Sequence, residues 1–174
     1  IESRGEYDIA GGANNHYDGR YQMGRDAKKD GGRHFGLADP GHEETAREMF
    51  RKNPSLQERL FAGFTVGNHK ALMTVKEYRK KSKLDKLAIL GYAHNQGATG
   101  RLKPGSSVRS ARVWLQTGVG GQDANRTGGT KYYNALRKAL RRRPSTQVAE
   151  SKLLQQLFNT IKEVEDNELA NKQL

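Results

Sequence analysis

Residues 83–96, which read Lys-Leu-Asp-Lys-Leu-Ala-Ile-Leu-Gly-Tyr-Ala-His-Asn-Gln, decide the fold class. Apolar residues recur three and four positions apart along this stretch, as they do on one face of an α-helix. The residues that we predict to face the core are Leu84, Leu87, Ala88, Leu90 and Gly91. Because such a face must be buried against another element, the neighbouring sequence should contain further amphipathic segments.

Segments with helical spacing do occur on both sides. They predict helices over residues 43–53, from about Ser55 onward, over 107–117 and over 130–142, with glycines such as Gly31 and Gly32 as breaks. No stretch alternates apolar and polar residues convincingly, although Asp18 followed by Gly19 signals the turn of a small hairpin over residues 16–21. We therefore predict an all-α fold, with room for a small β-hairpin near the N-terminus.

The last part of the chain has a separate pattern. Residues 147–172 carry an apolar stripe at helical spacing, which needs a partner in the domain itself or in another copy of the chain. We place one domain over residues 1–143 and a C-terminal amphipathic helix in residues 144–174. Self-association through this helix is one use of its stripe.

The charge of the chain suggests the class of partner. Its 174 residues include 31 Lys and Arg against 19 Asp and Glu, a formal charge of +12, which favours a polyanionic matrix as partner. Nucleic acid is the less favoured polyanion, because no reader motif is present and only 7% of the residues are aromatic. The longest strongly apolar run, near residues 87–93, is too short for a membrane span.

Four short blocks carry the functional signal. They are Ile1-Glu-Ser-Arg-Gly-Glu-Tyr-Asp8, Gly19-Arg-Tyr-Gln-Met-Gly24, Tyr92-Ala-His-Asn-Gln-Gly97 and Thr130-Lys-Tyr-Tyr-Asn-Ala-Leu136. In this order they resemble the blocks of goose-type lysozymes and lytic transglycosylases, over about residues 1–140. The resemblance implies the lysozyme-like, all-α fold and cleavage of β-1,4 bonds in N-acetylated glycans, in peptidoglycan or in chitin.

The resemblance also implies roles for single residues. Glu2 takes the position of the one catalytic carboxyl, first acid and then base, and burial against apolar walls would keep it protonated near neutrality. The substrate's own N-acetyl or 6-hydroxyl group would replace a second protein carboxylate. The implied substrate-binding residues are Ser3, Tyr21, Gln22, Met23, His94, Asn95 and Tyr133. Of these, Gln22 and Asn95 would hydrogen-bond the sugar, and Tyr21 and Met23 would form cleft walls.

Two departures from the family pattern keep other functions open. His94 replaces the Tyr that precedes the family's Asn, and only Ile1 precedes Glu2, where the family has a helix. We therefore expect either a trimmed or partial sequence, or a catalytically inactive scaffold that self-assembles or binds a polyanionic matrix or mineral. A module that binds glycan without cleaving it is a third reading. We expect a secreted protein, extracellular or in a bacterial cell envelope, and we predict no cofactor and no metal site.

Two runs of basic residues allow two interpretations. Arg79-Lys-Lys-Ser-Lys83 and Arg141-Arg-Arg143 are each explained by solvated helix ends, where cations also favour the helix dipole. The alternative is a face that binds a polyanion.

Overall fold

The computed structural model describes residues 6–11, 16–100, 106–122 and 128–142. Within these ranges the helices are α1 (Arg25–His34), α2 (Glu44–Arg51), α3 (Pro54–Met73), α4 (Lys76–Arg79), α5 (Lys83–Gln96), α6 (Ala111–Thr117) and α7 (Gly129–Arg142). Two short antiparallel strands, β1 (Ala10–Gly11) and β2 (Tyr17–Asp18), pair Ala10 with Asp18 and Gly11 with Tyr17. The predicted all-α fold with a small hairpin near the N-terminus is confirmed. Its strands pair residues 10–11 with 17–18, so the hairpin begins earlier than the predicted residues 16–21.

The chain divides into two compact units, Ile1–Gly67 and Asn68–Leu174, with the boundary inside α3. The predicted tail helix over residues 147–172, and the predicted domain boundary after residue 143, lie outside the described residues. No helix in the described ranges is both long enough and apolar enough to cross a membrane.

The core of the first unit forms where the hairpin meets α2 and α3. Met23, Phe50 and Leu60 are almost completely buried in one cluster. Partly buried apolar side chains pack around them: Tyr21, Ala27, Leu37, Leu56, Phe61 and Phe64. Helix α3, which follows Pro54, thus closes this core with Leu56, Leu60, Phe61 and Phe64.

Helix α1 was not predicted, because Gly31 and Gly32 were read as a break. Both glycines lie inside the helix. A Cβ atom on Gly31 would overlap the carbonyl oxygen of Leu60, and one on Gly63 would overlap the carbonyl oxygen of Gly31. The glycines are therefore required by the close approach of α1 to α3, and the helix tolerates their lower propensity.

The second unit is built on α5 packed against α7. Ser82 caps α5 by accepting a hydrogen bond from the Asp85 N–H at 3.1 Å, and Gly91 faces Leu136 of α7. The core includes Tyr78, Leu87, Ile89, Leu90, Tyr92 and Leu140. Leu84, which we predicted to face the core, is 39% exposed because it lies in the first turn, ahead of the packed part of the helix.

Helix α6 begins at Ala111 rather than near residue 107. The preceding residues are held in an extended path by contacts outside the helix: Ser107 O accepts a hydrogen bond from the Gln122 N–H at 2.9 Å, and Gln96 Oε1 accepts one from the Arg109 N–H at 3.2 Å. A helix from residue 107 would have joined Ser107 O to the Ala111 N–H, which instead donates to Gly97 O at 2.9 Å.

The close approach of α1 and α3 gives a paired test on one helix. Gly63→Ala should lower the free energy of unfolding by about 1–3 kcal/mol, because the new methyl group meets backbone that cannot rotate away. Gly67→Ala, one turn later, has open space around the new methyl group and should be neutral or stabilising by up to about 1 kcal/mol. Urea unfolding of both variants measures the difference, and equal effects would contradict the proposed helix contact.

Candidate functional site

The block at residues 19–24 forms a tight turn at the end of β2. Asp18 and Met23 exchange backbone hydrogen bonds at 3.2 and 3.0 Å, so residues 19–22 close a four-residue loop. Gly19 has φ 72°, and Gln22 has φ 46°. Among the described residues Gln22 is the one non-glycine with positive φ, a conformation that costs about 1–2 kcal/mol.

The side chain of Gln22 is fixed as well as its backbone. Its Nε2 donates a hydrogen bond to Gly19 O at 2.9 Å, and a Cβ atom on Gly11 would overlap its Oε1. The amide therefore lies directly against strand β1, and the absence of a side chain at Gly11 makes room for it. Such an arrangement presents one hydrogen-bonding side chain in one orientation.

Asp18 anchors this turn from within the protein. It is completely buried, and its carboxylate accepts hydrogen bonds from Lys28 Nζ at 2.8 Å, Arg47 Nη2 at 2.9 Å and Arg51 Nη1 at 3.0 Å. Burial alone would raise the pKa of Asp18, but the hydrogen bonds from Arg47 and Lys28, with the charge of Lys28, lower it overall. The aspartate is therefore ionised, and it ties β2 to α1 and α2.

A second polar cluster holds Tyr21. Its ring stacks on Phe61 with centroids 3.9 Å apart, and its hydroxyl donates to Glu58 Oε2 at 2.6 Å. The hydroxyl of Tyr7 donates to the other oxygen of Glu58 and accepts from Arg20 Nη1 at 2.8 Å. Burial and the hydrogen bond to Glu58 raise the pKa of Tyr21 far above its usual range, so this ring remains neutral.

Gln57, which no sequence pattern singles out, supports the turn from α3. It is completely buried; its Oε1 accepts a hydrogen bond from the Arg20 N–H at 2.9 Å, and its Nε2 donates to Phe50 O at 3.0 Å and Arg51 O at 2.8 Å. A single Gln in a helix has no sequence signature of such a role. Met23, predicted as a cleft wall, is completely buried in the core cluster and leaves no surface open to a ligand in this structure.

In the second unit, His94 and Asn95 lie in the last turn of α5, and both are partly buried. Asn95 Oδ1 accepts a hydrogen bond from Gln96 Nε2 at 2.6 Å, and Gln96 Oε1 accepts the Arg109 N–H described above. Gln96 is nearly buried and thus orients the Asn95 amide by linking it to the segment before α6. This role was also missed, although Gln96 stands inside the third block.

An aromatic stack extends from the same helix. Tyr92 and Trp114 are parallel within 3° at 4.5 Å, and Trp114 meets Tyr133 edge-on at 5.0 Å. The buried Tyr92 hydroxyl donates to Arg109 O at 2.9 Å and accepts the Gly121 N–H at 2.9 Å. Tyr133 directs its hydroxyl to Asp85 Oδ1 at 3.4 Å, at the opposite end of α5 from Asn95.

The structure thus places the predicted residues in two groups and leaves Tyr133 apart from both, at the Asp85 end of α5. Tyr21, Gln22 and Met23 share one turn of the first unit, and His94 and Asn95 share one helix end of the second. Glu2 and Ser3 lie outside the described residues, so their predicted roles stay predictions. No group of three or more potential metal ligands occurs within the described ranges.

Comparisons with protein-family models, with curated proteins and with solved structures give no match for this chain.

The buried Asp18 should control stability. Asp18→Asn leaves three cations around a neutral amide, two of them partly exposed, and should lower the free energy of unfolding by about 3–5 kcal/mol. The matched control Asp30→Asn removes an exposed ion pair with Arg33 and should cost less than about 1 kcal/mol. Urea unfolding of the two variants at neutral pH provides the comparison.

The same residue predicts a pH dependence. Because the pKa of Asp18 is lower in the folded than in the unfolded state, its stabilisation is complete above about pH 4 and is lost as the pH falls through the lowered value. Wild type should therefore lose stability in acid more steeply than Asp18→Asn. Parallel acid profiles of the two proteins would rule out this role.

The Tyr92 hydroxyl gives a test of the second unit. Tyr92→Phe leaves the buried Gly121 N–H without its acceptor and should cost about 1–3 kcal/mol. Tyr17→Phe is the control, because the Tyr17 side chain is 44% exposed and should cost almost nothing. Thermal unfolding followed by circular dichroism distinguishes the two, and an unchanged midpoint in Tyr92→Phe would refute the bridge.

Proposed function

We propose that this protein cleaves β-1,4 bonds of N-acetylated glycans, with Glu2 as the single catalytic carboxyl. Peptidoglycan is the favoured substrate and chitin is the alternative. The observation that carries the proposal is the conformation of Gln22. A strained backbone persists only where the surrounding structure enforces it, and such residues concentrate at functional sites. Here the strain falls inside one of the four blocks that resemble lytic transglycosylases and goose-type lysozymes.

The surroundings of Gln22 support a role in binding. Asp18 fixes the start of the turn, Gln57 fixes its backbone at Arg20, and Gly11 leaves space for the amide. An amide can accept from the N–H and donate to the carbonyl of an N-acetyl group, so its orientation decides which sugar edge it reads. In the proposed site the partly exposed ring of Tyr21 lies beside that sugar.

Two further positions take the roles that the resemblance implies. Asn95, oriented by Gln96, would bind a second polar group of the glycan, with His94 contributing beside it. Ser3 would assist Glu2. The resemblance gives Tyr133 the role of orienting the substrate, although its hydroxyl is directed to Asp85, at the other end of α5 from Asn95. These roles rest on the resemblance alone.

Two carboxylates beside the turn are already engaged in supporting it. Asp18 is occupied by three cations, and Glu58 accepts hydrogen bonds from two tyrosines. Neither is available as a nucleophile without breaking the support of the turn. In the proposed reaction, Glu2 protonates the glycosidic oxygen as its bond to C1 breaks, and the substrate's N-acetyl or 6-hydroxyl oxygen bonds to C1. The Glu2 carboxylate then takes up the proton of the 6-hydroxyl group, or that of the water that attacks C1 and displaces the N-acetyl oxygen. Because such glycans lie outside the cytoplasm, we propose a secreted or cell-envelope location.

Mass spectrometry of peptidoglycan and chitin oligomers after incubation tests the proposal. Wild type should shorten at least one of them, and Glu2→Gln should lose that activity by at least about a hundredfold, because an amide cannot supply the proton. Glu6→Gln is the matched control: Glu6 is an exposed glutamate in the same block, and its variant should retain activity. The product ends distinguish hydrolysis from formation of an anhydro sugar.

Gln22→Asn tests the turn itself. Asn tolerates positive φ better than Gln does, so stability should be retained or should rise slightly, while the shorter side chain withdraws the amide and weakens cleavage. Unchanged activity in this variant would remove Gln22 from the site. Intact glycans after incubation with folded wild type would contradict the enzyme and leave the inactive scaffold, or a module that only binds glycan, as the function to pursue.

A further inference from the structure

The positive charge of the second unit is concentrated by the packing of α5 on α7. Its described residues include fourteen Lys and Arg and only two acids, Glu77 and Asp85. Asp85 is already paired, because Arg137 Nε donates to its Oδ1 at 2.8 Å. Burial would raise the pKa of Asp85, but Ser82 and Arg137 lower it overall, so this carboxylate is ionised and neutralises Arg137.

The pair between Asp85 and Arg137 shows that two basic runs meet. Asp85 stands in the first turn of α5, directly after Lys80, Lys81 and Lys83, and Arg137 stands in the last two turns of α7, directly before Lys138 and Arg141. Chain length keeps Lys81 within about 14 Å of Asp85, and Arg141 is about 6 Å along the helix from Arg137. Runs separated by more than fifty residues therefore share one end of the unit, which we call the cationic end and define as Lys80, Lys81, Lys83, Lys138 and Arg141.

These five cations lie at the surface of the described part of the second unit. All five side chains are exposed, and none forms an ion pair with another described residue. The charge of Arg141 also reaches the Tyr133 hydroxyl, where it opposes the rise in pKa caused by burial. Tyr133 itself contacts Asp85 at 3.4 Å, so it too lies at this end of α5.

We infer that the cationic end binds a linear, flexible polyanion that carries no aromatic groups, such as a phosphodiester-linked polymer. The one carboxylate between the two runs, Asp85, is already neutralised by Arg137, so the remaining like charges repel one another. An anionic chain that bridges them removes this repulsion. Lysine dominates the cluster and binds as a point charge, which needs no fixed geometry in the polymer. The cluster stands whether or not the chain cleaves glycans, so the inference does not depend on the proposed function.

The surroundings argue against nucleic acid as the partner. Binding of single strands typically adds stacking of bases on exposed aromatic rings, worth about 1–3 kcal/mol per base. The aromatic side chains classed as exposed, Tyr17 and Phe35, are both in the first unit, and Tyr78 beside the cationic end is completely buried. Tyr133, which lies beside Asp85 at this end, is partly buried, with Trp114 edge-on against it at 5.0 Å and Arg137 over its ring at 5.8 Å. Among the described residues, the cationic end therefore offers charge without an exposed ring for stacking.

The test uses an abasic phosphodiester oligomer as probe, with a single-stranded DNA oligomer of equal length as comparison. Lys83→Gln/Lys138→Gln should weaken binding of the abasic oligomer roughly tenfold near physiological salt and reduce the slope of log K against log salt by about 1.4. The matched control Arg112→Gln/Lys131→Gln removes the same charge at the other end of α5 and should bind within about twofold of wild type. Lys80→Gln/Lys81→Gln, in the exposed segment before α5, provides an independent loss if the first pair affects folding.

Each outcome of this experiment either supports or overturns the inferred binding site. A loss confined to the two variants of the cationic end supports the inference. Equal losses in all three pairs would show that net charge alone matters, and unchanged binding in the cationic-end pairs would place the site elsewhere; either overturns it. DNA that binds more than about tenfold more tightly than the abasic oligomer would identify a nucleic-acid surface instead.

Discussion

Asp18 carries its charge without solvent contact, and the first unit is arranged to neutralise it. Lys28 reaches it from α1, and Arg47 and Arg51 reach it from α2, while the backbone of Asp18 pairs with β1 on one side and with Met23 on the other. An uncompensated charge at this place would cost several kcal/mol, so hairpin, α1 and α2 are stable only together. The turn that carries Tyr21 and Gln22 starts at Asp18, so the contacts that fix Asp18 also fix the position of the turn.

Helical periodicity predicted the fold class and most helices, because each amphipathic segment buries its apolar face in the unit to which it belongs. It did not predict α1, because Gly31 usually indicates a helix break. Here Gly31 is required inside a helix by its close contact with Leu60, almost thirty residues away. The late start of α6 has a similar cause, since Gln96 and Gln122 bind the backbone of the segment before it. Distant partners of this kind leave no periodic signal in the sequence.

The sequence predicted some residues of the candidate site but not the residues that support them. The order of the four blocks predicts Gln22 and Asn95 as site residues. The structure adds that the backbone of Gln22 is strained and that the amide of Asn95 is oriented by Gln96. Gln57 and Gln96 could not be predicted, because a buried amide becomes important only through the backbone groups that surround it. Likewise, the two basic runs were readable as separate helix ends, and only the pairing of Asp85 with Arg137 shows that they meet.

The aromatic stack of the second unit has a spectroscopic consequence. Trp114 is the only tryptophan in the chain, and it lies parallel to Tyr92 and against Tyr133, with all three rings in one unit. Intrinsic tryptophan fluorescence therefore reports the packing of that unit and does not report the environment of Asp18. Denaturation followed by emission and by far-ultraviolet ellipticity would give coincident curves if the units unfold as one cooperative body, and separated curves if they unfold independently.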